Sequence, residues 1–572
     1  MTGTLVDALR DTVAAHGDAV ALRTRDDAIR WTWSEYDALA RRAAGGLAAL
    51  GVGHGDTVAL LLENRPEFHV ADLGAVLLGA ATVSIYNTSS PEQVDHILGD
   101  SGASVLVTQQ SLAAGAELAA SRHGCRTVVL DGPGPDGALG WAELLAAEPV
   151  AAPATVTPDD LLTIIYTSGT TGPPKGVELT HRNLMSANRT IGTTFGLRAG
   201  DRVVCWLPLA HIAERDASYY MAVLFGLEVT TCADPRQIGA ALREVRPQSF
   251  FAVPRIWEKL KAGAEAAVAG REPAERVAVQ TAIADATEAA RLAQAGEPVP
   301  GDLAGRVESA QPVLASLRAA LGLDAVRSAN IGAAPSPPEL TLFFLALGVP
   351  LGEIYGMSEN CAACTCNPSD AIRVGTAGPP LPGTELRLAD DGEVLMRSEA
   401  VMRGYRNRPE ETAAVLTADG FLRTGDIGVI TDGYLRIVDR KKELIINAAG
   451  KNIAPSAVES AITARSPLIG QLCVIGDARP YNVALVALDP EVAAGRAADD
   501  PTVLDEVARA VREGNARLSR VETVRRYAIV PDPWVPGGDE LTPTMKLKRR
   551  PITEKFADTV ESLYDGGGID AG

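Results

Sequence analysis

The chain has 572 residues, 46% of them hydrophobic, and a formal net charge of −19. A chain of this length and composition can bury a large core and should form more than one domain. The negative charge argues against nucleic acid as a partner, because phosphates would be repelled, although local cations can still bind a small anionic ligand.

No secretory signal peptide is predicted, because the N-terminus lacks a basic segment followed by an apolar one. The most apolar stretch, residues 70–85, is too short to span a bilayer and predicts a core helix that continues into a strand. Seven cysteines, odd and sparse, do not indicate a disulfide framework. We expect a cytoplasmic protein without a transmembrane segment, with peripheral membrane contact left open.

Helical and extended patterns alternate along the first two thirds of the chain. Residues 36–49 have helical spacing and residues 57–62 predict a strand, and this alternation continues to about residue 360. Such a pattern is typical of a parallel α/β sheet. Residues 259–323 predict helix with a break near residues 297–301.

The remainder predicts smaller units. Gly/Asp turns between short apolar runs at residues 375–437 indicate a β-rich subdomain. Beyond Asp439 mixed strands and helices indicate a small α+β domain, and the Gly-rich tail, residues 565–572, is predicted to be disordered. The fold class is therefore α/β: a large N-terminal domain of α/β sheets with a β-rich subdomain, followed by a small, mobile α+β C-terminal domain.

A short apolar segment, residues 161–165, predicts a buried strand that runs into the sequence Tyr-Thr-Ser-Gly-Thr-Thr-Gly-Pro-Pro-Lys-Gly at residues 166–176. Glycines let backbone approach a ligand, loop N–H groups form an anion-binding concavity, and lysine adds a point charge. The spacing is not that of the P-loop. The residues expected to hold a polyphosphate are Thr167, Ser168, Gly169, Thr170, Thr171, Gly172 and Lys175.

This string resembles the phosphate loop of the adenylate-forming enzymes, which include acyl-CoA synthetases, luciferases and peptide-synthetase adenylation domains. Three further motifs match in order and approximate spacing: Gly-Ala-Ala-Pro at 332–335, Ile-Tyr-Gly-Met-Ser-Glu at 354–359 and Gly-Phe-Leu-Arg-Thr-Gly-Asp at 420–426. The segment Leu-Thr-Pro-Thr-Met-Lys-Leu-Lys-Arg-Arg at 541–550 resembles the C-terminal motif of the family. The resemblance covers roughly residues 5–560. The segments at 207–215 and 251–260 are most similar to those of bacterial long-chain fatty acid–CoA ligases.

The resemblance implies an ATP site. Tyr355 would pack on adenine, Asp426 would accept hydrogen bonds from the ribose hydroxyls, and Arg440 would lie near the ribose. Glu359 would coordinate Mg²⁺ with help from Thr167, in keeping with the preference of Mg²⁺ for one or two carboxylates plus phosphate oxygens. The other implied ATP-binding residues are Gly332, Ala333, Ala334, Gly356, Met357 and Ser358.

The resemblance also divides the chain into an N-terminal domain, residues 1–438, and a C-terminal domain, residues 439–572, with Asp439 as the hinge. Lys546 would be the catalytic lysine, with Lys548 as the fallback because many relatives have glycine where this chain has Met545. Gly450 and Lys451 would lie on a loop that faces the coenzyme A side.

His211 would lie at the mouth of the acyl pocket; a structural histidine on a loop is the alternative. Cys361, Cys364 and Cys366 have the spacing of a metal site, but a structural zinc needs four ligands, and no second pair is available. Small packing residues are the better interpretation of this cluster.

In the implied reaction, ATP and a carboxylic acid, expected to be a long- or medium-chain fatty acid, give acyl-AMP and pyrophosphate. The acyl group is then transferred to coenzyme A. Two alternatives remain: the acid is an aryl or other specialised acid, or the acceptor is the phosphopantetheine of an acyl carrier protein. A catalytically silent relative is disfavoured, because Lys175, Glu359, Asp426 and Lys546 are all present.

Overall fold

The structure is a computed structural model that describes residues 3–132, 134–167, 173–542 and 545–571. The first half of the N-terminal domain contains α1 (Leu5–His16), β1 (Val20–Thr24), β2 (Arg30–Thr32), α2 (Trp33–Ala49), β3 (Thr57–Leu61), α3 (Pro66–Leu77), β4 (Ala81–Ser84), α4 (Pro91–Ser101), β5 (Val105–Thr108), α5 (Gln110–Arg122), β6 (Arg126–Val129), β7 (Leu139–Gly140), α6 (Trp141–Leu144), β8 (Leu161–Thr167), β9 (Lys175–Thr180) and α7 (His181–Thr194).

The chain continues through β10 (Arg202–Cys205), α8 (Ile212–Glu214), a π-helical segment (Arg215–Tyr220), α9 (Met221–Phe225), β11 (Glu228–Thr231), a 3₁₀ turn (Pro235–Gln237), α10 (Ile238–Val245), β12 (Ser249–Ala252), α11 (Pro254–Ala269), α12 (Pro273–Gln294), α13 (Gly301–Leu321), β13 (Ser328–Gly332), α14 (Pro338–Ala346), β14 (Leu351–Tyr355), a second 3₁₀ turn (Ser358–Asn360) and β15 (Thr365–Cys366). The helical region expected at 259–323 is broken where predicted and also at residues 270–272.

The β-rich subdomain and the C-terminal domain complete the chain. The subdomain contains β16 (Glu385–Leu388), β17 (Glu393–Arg397), β18 (Gly404–Tyr405), α15 (Pro409–Val415), β19 (Leu422–Thr431) and β20 (Tyr434–Arg440). The C-terminal domain contains β21 (Ile445–Ile446), β22 (Asn452–Ile453), α16 (Pro455–Thr463), β23 (Ile469–Ile475), β24 (Asn482–Leu488), α17 (Pro490–Ala493), α18 (Pro501–Asn515), β25 (Val524–Ile529), α19 (Arg549–Lys555), α20 (Ala557–Tyr564) and β26 (Ile569–Asp570).

The largest sheet has the strand order β18-β9-β8-β4-β3-β5-β6-β7. Strands β8, β4, β3, β5, β6 and β7 are parallel, whereas β9 and β18 add an antiparallel edge. Because side chains alternate along a strand, Val58 and Leu60 pack into one core and Ala59 and Leu61 into a second core on the other face. This sheet is the parallel α/β unit that the sequence predicts.

Two further sheets complete the helix-rich part of the N-terminal domain, in the orders β10-β11-β1-β2 and β12-β13-β14-β15. Several helices begin where the sequence supplies a cap. Thr32 and Glu35 form a capping box at α2, and Thr180 and Asn183 form one at α7. The capping residue Asn183 also joins the start of α7 to the β-rich subdomain. Its side-chain amide donates hydrogen bonds to the carbonyls of Glu399 and Val401.

The β-rich subdomain forms the sheet β16-β17-β19-β20, as predicted, but its short strand β18 pairs with β9 of the large sheet. The C-terminal domain contains the sheet β23-β24-β25-β26, and hydrophobic clusters cover both of its faces. The prediction of a disordered tail was wrong: Ile569 pairs with Tyr527 as part of β26, and Ala571 is buried. Backbone pairing to β25 holds this Gly-rich segment despite its composition.

Candidate active site

A cavity of about 1180 Å³ lies where the N-terminal domain, the β-rich subdomain and the C-terminal domain meet. Of the residues predicted for the site, those lining it are Thr167, Lys175, His211, Ala333, Ala334, Tyr355, Gly356, Met357, Ser358, Glu359, Asp426, Asp439, Arg440 and Lys546. Gly332, Gly450 and Lys451 are not among its lining residues. Ser168, Gly169, Thr170, Thr171 and Gly172 lie outside the described residues.

The predicted phosphate loop connects two antiparallel strands. Thr167 ends β8 and is paired with Lys175, the first residue of β9. The Thr167 hydroxyl donates to the Lys175 carbonyl at 3.5 Å. The Lys175 ammonium forms an ion pair with Glu411 and lies 5.2 Å from the centre of the Tyr405 ring. The residues on either side of the loop, Thr167 and Lys175, therefore both line the cavity.

A tight turn carries Tyr355 to Glu359 along the cavity wall. Strand β14 ends at Tyr355, and a Cβ on Gly356 would collide with the Ala362 carbonyl, so the turn needs glycine there. Cys361 and Ala362 both have positive φ, 54° and 67°, which bends the chain back beneath Glu359. The Glu359 carboxylate accepts a 2.7 Å hydrogen bond from the Tyr405 hydroxyl.

On the neighbouring strand, Gly332 ends β13 and packs against β14. A Cβ at Gly332 would lie 2.6 Å from the Ile354 carbonyl oxygen, so the glycine allows the two strands to approach. Ala333 follows with φ of 67°, and the chain then turns along the cavity. The role of Gly332 is thus close packing, while Ala333 and Ala334 provide the exposed wall.

Asp426 is buried and both of its carboxylate oxygens have protein partners. The Tyr355 hydroxyl donates to Oδ2 at 2.6 Å, and Nε of Arg440 lies 3.2 Å from Oδ1. Strands β19 and β20 bring Asp426 and Arg440 together, because the two residues are directly paired. Burial raises the pKa of Asp426, and the Arg440 guanidinium opposes this rise.

Lys546 extends from the C-terminal domain into the cavity. Lys546 remains accessible to solvent. Desolvation by the surrounding protein, and then repulsion from Arg440, nevertheless lower its pKa to about 8, while Asp426 and Glu359 oppose the shift. The preceding residue, Met545, has φ of 64°, in the left-handed region that favours glycine. Lys548 instead donates its ammonium to the Gly538 carbonyl at 2.8 Å, and it does not line the cavity.

His211 lies at the start of α8, where its Nδ1 accepts a hydrogen bond from the Ala213 N–H at 3.1 Å. Burial, and then the nearby Lys546 charge, lower the pKa of His211 to about 4, so the ring is neutral near pH 7. The elements around it give the cavity an apolar wall. Its side chains are Ile191, Phe195, Ile212, Ala213, Ala217 and Met221.

Asp439 is the penultimate residue of β20, and its side chain contacts the start of α16. It is buried and paired with Ile427, and its Oδ2 accepts hydrogen bonds from the N–H and hydroxyl of Ser456 at the start of α16. After Arg440 comes the turn at residues 441–443, whose first two residues are exposed. Asp439 is therefore embedded in a strand rather than in the charged turn, and any hinge motion there begins from an ordered residue.

Gly450 and Lys451 lie on the exposed turn between β21 and β22. Asn447 holds this turn, because its Oδ1 accepts from the N–H groups of Ala449 and Lys451. In this domain arrangement the turn is on the surface, whereas Lys546 lines the cavity.

Sequence reasoning missed Tyr405 and Glu411. Tyr405 comes from β18 and reaches Glu359 only because β18 pairs with β9. Glu411 lies on α15, beside Lys175. No spacing pattern links either residue to the motifs they contact, so the sequence carried no direct signal for them.

The cysteine cluster lies in the hydrophobic core of the N-terminal domain. Cys361, Cys364 and Cys366 are buried and unpaired in disulfides. Over the described ranges, no group of three or more His, Cys, Asp or Glu side chains could hold a metal ion. In the same part of the chain, no helix is both long and apolar enough to cross a membrane.

Two family models match the chain: AMP-binding enzyme over residues 9–406, and AMP-binding enzyme C-terminal domain over residues 442–567. The chain belongs to the AMP-binding enzymes. This membership supports the binding of ATP or AMP.

Curated AMP-binding relatives are similar over most of the chain. A putative fatty-acid–CoA ligase, fadD11 of Mycobacterium tuberculosis, is 49% identical over 426 residues, covering 72% of this chain and 74% of the relative. The long-chain-fatty-acid–CoA ligase FadD15 of Mycobacterium bovis is 38% identical over 558 residues, covering 92% of this chain and 90% of the relative.

Solved structures share the adenylate-forming fold. The adenylation domain of a carboxylic acid reductase from Segniliparus rugosus, in complex with AMP and a co-purified carboxylic acid, matches with a TM-score of 0.77 at 22% identity, covering 98% of this chain and 94% of that one. The anthranilate CoA ligase AuaEII, in complex with anthranoyl-AMP, matches with a TM-score of 0.76 at 21% identity, and 98% of each chain is covered.

Proposed function

We propose that this protein uses ATP to activate a long- or medium-chain fatty acid as acyl-AMP and then transfers the acyl group to coenzyme A. The products are acyl-CoA, AMP and pyrophosphate. The observation that carries the proposal is the convergence of Lys546, Asp426 and Glu359 with an apolar wall around one cavity. The relatives described as fatty-acid–CoA ligases support this choice of acid.

In the first step, a carboxylate oxygen of the acid forms a bond to the α-phosphorus, and the bond from that phosphorus to the bridging oxygen breaks, releasing pyrophosphate. No general base is needed, because the attacking carboxylate is already ionised. Lys546 would stabilise the charge that gathers at the α-phosphate, and Lys175 with the loop hydroxyls would hold the leaving phosphates. Tyr355 and Asp426 would orient the adenosine.

Glu359 and Thr167 fit the role of Mg²⁺ ligands. Both line the cavity, and one carboxylate with one hydroxyl is the kind of incomplete set that phosphate oxygens and water complete. The absence of an all-protein metal cluster in the described residues is consistent with this mode of binding. Mg²⁺ bound there would supply neutralising charge to the phosphates.

In the second step, the thiol of coenzyme A attacks the acyl carbonyl, AMP leaves, and the thiol proton passes to solvent. We propose that residues 1–438 and 439–572 move as separate domains about Asp439 between the two steps. The exposed position of Gly450 and Lys451 supports this, since a loop on the coenzyme A side has to reach the site after Lys546 withdraws.

The test is a two-stage assay with purified protein. ATP–pyrophosphate exchange with a panel of saturated fatty acids and aryl acids measures the first step, and thioester formation with coenzyme A or an acyl carrier protein measures the second. We expect exchange with C8–C18 fatty acids and thioester only with coenzyme A. Exchange with aryl acids alone would indicate that the protein activates an aryl acid. Thioester formed only on the carrier protein would indicate that the acceptor is its phosphopantetheine rather than coenzyme A.

A further inference from the structure

The apolar wall of the cavity contains one carboxylic acid that the reaction steps above do not use. Asp216 is the second residue of the π-helical segment, is 2% exposed, and lines the cavity beside Ala217. Its other neighbours on this wall are Ile191, Ile212 and Met221. A carboxyl group among aliphatic side chains is costly unless each of its oxygens has a hydrogen-bond partner.

Asp216 has a partner for only one oxygen. The Asn188 amide donates to Oδ1 at 2.7 Å, whereas Oδ2 is buried and has no hydrogen-bond partner among the described residues. Leaving such an atom unpaired costs free energy that a bound ligand can recover by supplying a hydrogen bond. The cavity wall therefore has an unused hydrogen-bonding atom. Because Oδ2 is closed to solvent in this arrangement, a polar group of the substrate reaches it only when the neighbouring side chains of the wall shift.

The local backbone favours this orientation. A π-helical turn is wider than an α-helical turn and frequently occurs at functional sites. Here the segment directs Arg215 and Tyr220 into a buried network, where the Arg215 guanidinium pairs with Asp72 at 2.5 Å, while Asp216 and Ala217 remain on the cavity side. Arg215 pairs with Asp72, and its charge only partly opposes the rise in the pKa of Asp216.

We propose that Asp216 is a specificity residue that selects acyl chains bearing a hydroxyl group over unsubstituted chains of the same length. This inference rests on the proposed function and narrows its substrate class. A hydroxyl can both donate to and accept from a carboxyl group, so it satisfies Oδ2 in either protonation state. Burial raises the pKa of Asp216 to about 8, which disfavours the ionised form that an ammonium group would require.

The experiment measures binding and activation together. The ligands are C10–C16 acids, either unsubstituted or hydroxylated at successive carbons. Isothermal titration calorimetry gives the ratio of their affinities, and ATP–pyrophosphate exchange gives the ratio of their activation rates. For the wild type we expect at least about tenfold preference for one hydroxylated isomer, the value of one good hydrogen bond. Asp216→Leu should abolish the preference, and Asp216→Asn should retain part of it.

Glu214→Gln is the matched control. Glu214 is equally buried and has one oxygen unpaired among the described residues, but it does not line the cavity. Removing the Glu214 carboxylate should leave the preference for the hydroxylated acid unchanged. Thermal unfolding checks that each variant is folded. If Asp216→Leu does not fold, the acid preference of Asp216→Asn tests the proposal instead.

Equal affinity of the wild type for hydroxylated and unsubstituted acids would overturn the assignment. So would the same preference in the wild type, Asp216→Asn and Asp216→Leu. Tighter binding of an amino-substituted acid than of its hydroxylated counterpart would also overturn it in favour of an ammonium ligand. If selective binding occurs but no acid supports exchange, the proposed ligase function fails while the role of Asp216 stands.

Discussion

At the scale of single residues, the structure separates two lysines that are only two positions apart. Lys546 lines the cavity near Arg440 and Asp426, whereas Lys548 is held by the Gly538 carbonyl. The left-handed conformation of Met545 produces this difference, because it turns the chain just before Lys546. The turn also explains why glycine suits this position, since glycine adopts positive φ without steric cost.

Lys546→Ala should lower kcat/KM of adenylation by about 10²- to 10³-fold, because a preorganised charge at the α-phosphate is lost. Thioester formation from synthetic acyl-AMP should be nearly unchanged. Lys548→Ala is the control and should affect neither step by more than a few fold. Equal loss of both half-reactions in Lys546→Ala would indicate a structural role.

The same lysine predicts a pH dependence. Its pKa is lowered to about 8, so the charged form, which we expect to be the active one, is lost as pH rises through about 8. Adenylation measured by pyrophosphate release should therefore decline above that pH. Lys546→Arg should be slower but free of this decline, since arginine stays protonated. An unchanged profile in Lys546→Arg would assign the titration to another group.

Glu359→Gln should reduce pyrophosphate release by orders of magnitude, with partial rescue at high Mg²⁺, because the change keeps the size of the side chain but removes its charge. Glu385→Gln, an exposed carboxylate on β16 that does not line the cavity, is the control. Normal activity of Glu359→Gln across a Mg²⁺ titration would show that the metal is held elsewhere.

At the scale of elements, the site is built from strand ends and the turns that follow them. Thr167 ends β8, Tyr355 ends β14 and Arg440 ends β20, and each lines the cavity. Ligands of open α/β sheets characteristically bind beyond the carboxyl ends of strands, because the loops there converge. The turn after β14 is the most constrained of these, owing to the close approach of Gly356 to Ala362.

Gly356→Ala should destabilise the protein by about 1–3 kcal/mol, because the added Cβ meets backbone that cannot move independently. Adenylation should fall further than stability explains, since the turn positions Glu359. Gly263→Ala in α11 is the control. A Cβ there would meet no atom within 4 Å apart from its chain neighbours and the backbone of its own helix, and alanine favours helix by about 1 kcal/mol. Urea unfolding and pyrophosphate release measure both effects, and a fully active Gly356→Ala would contradict this account.

At the scale of the whole molecule, ion pairs link the C-terminal domain to the N-terminal domain across the cavity. Glu339 of α14 pairs with Arg465 and Arg517, Arg255 pairs with Asp489, and Lys259 lies 2.7 Å from Glu491. These pairs are formed in the arrangement that directs Lys546 into the cavity. They would therefore favour the adenylation step over the thioester step.

Glu339→Gln should slow adenylation a few fold while leaving thioester formation from acyl-AMP unchanged or faster, because one carboxylate with two arginine partners is lost. Adenylation should also depend less on salt than in the wild type, as salt screens such exposed pairs. Glu308→Gln, exposed on α13, is the control. Stopped-flow kinetics measure the rate of each half-reaction separately. Equal slowing of both half-reactions in Glu339→Gln would refute a role for Glu339 in domain orientation.

Strand periodicity and motif chemistry are local properties of the chain, so they predicted the α/β class and an anion-binding loop after a buried strand. The resemblance to adenylate-forming enzymes supplied Glu359, Asp426 and Lys546 as candidate site residues. Only the tertiary structure decided that Tyr405 contacts Glu359, that Asp216 borders the apolar wall, and that the Gly-rich tail forms β26. These contacts join segments far apart in sequence, and strand order and domain packing, not local preference, bring them together.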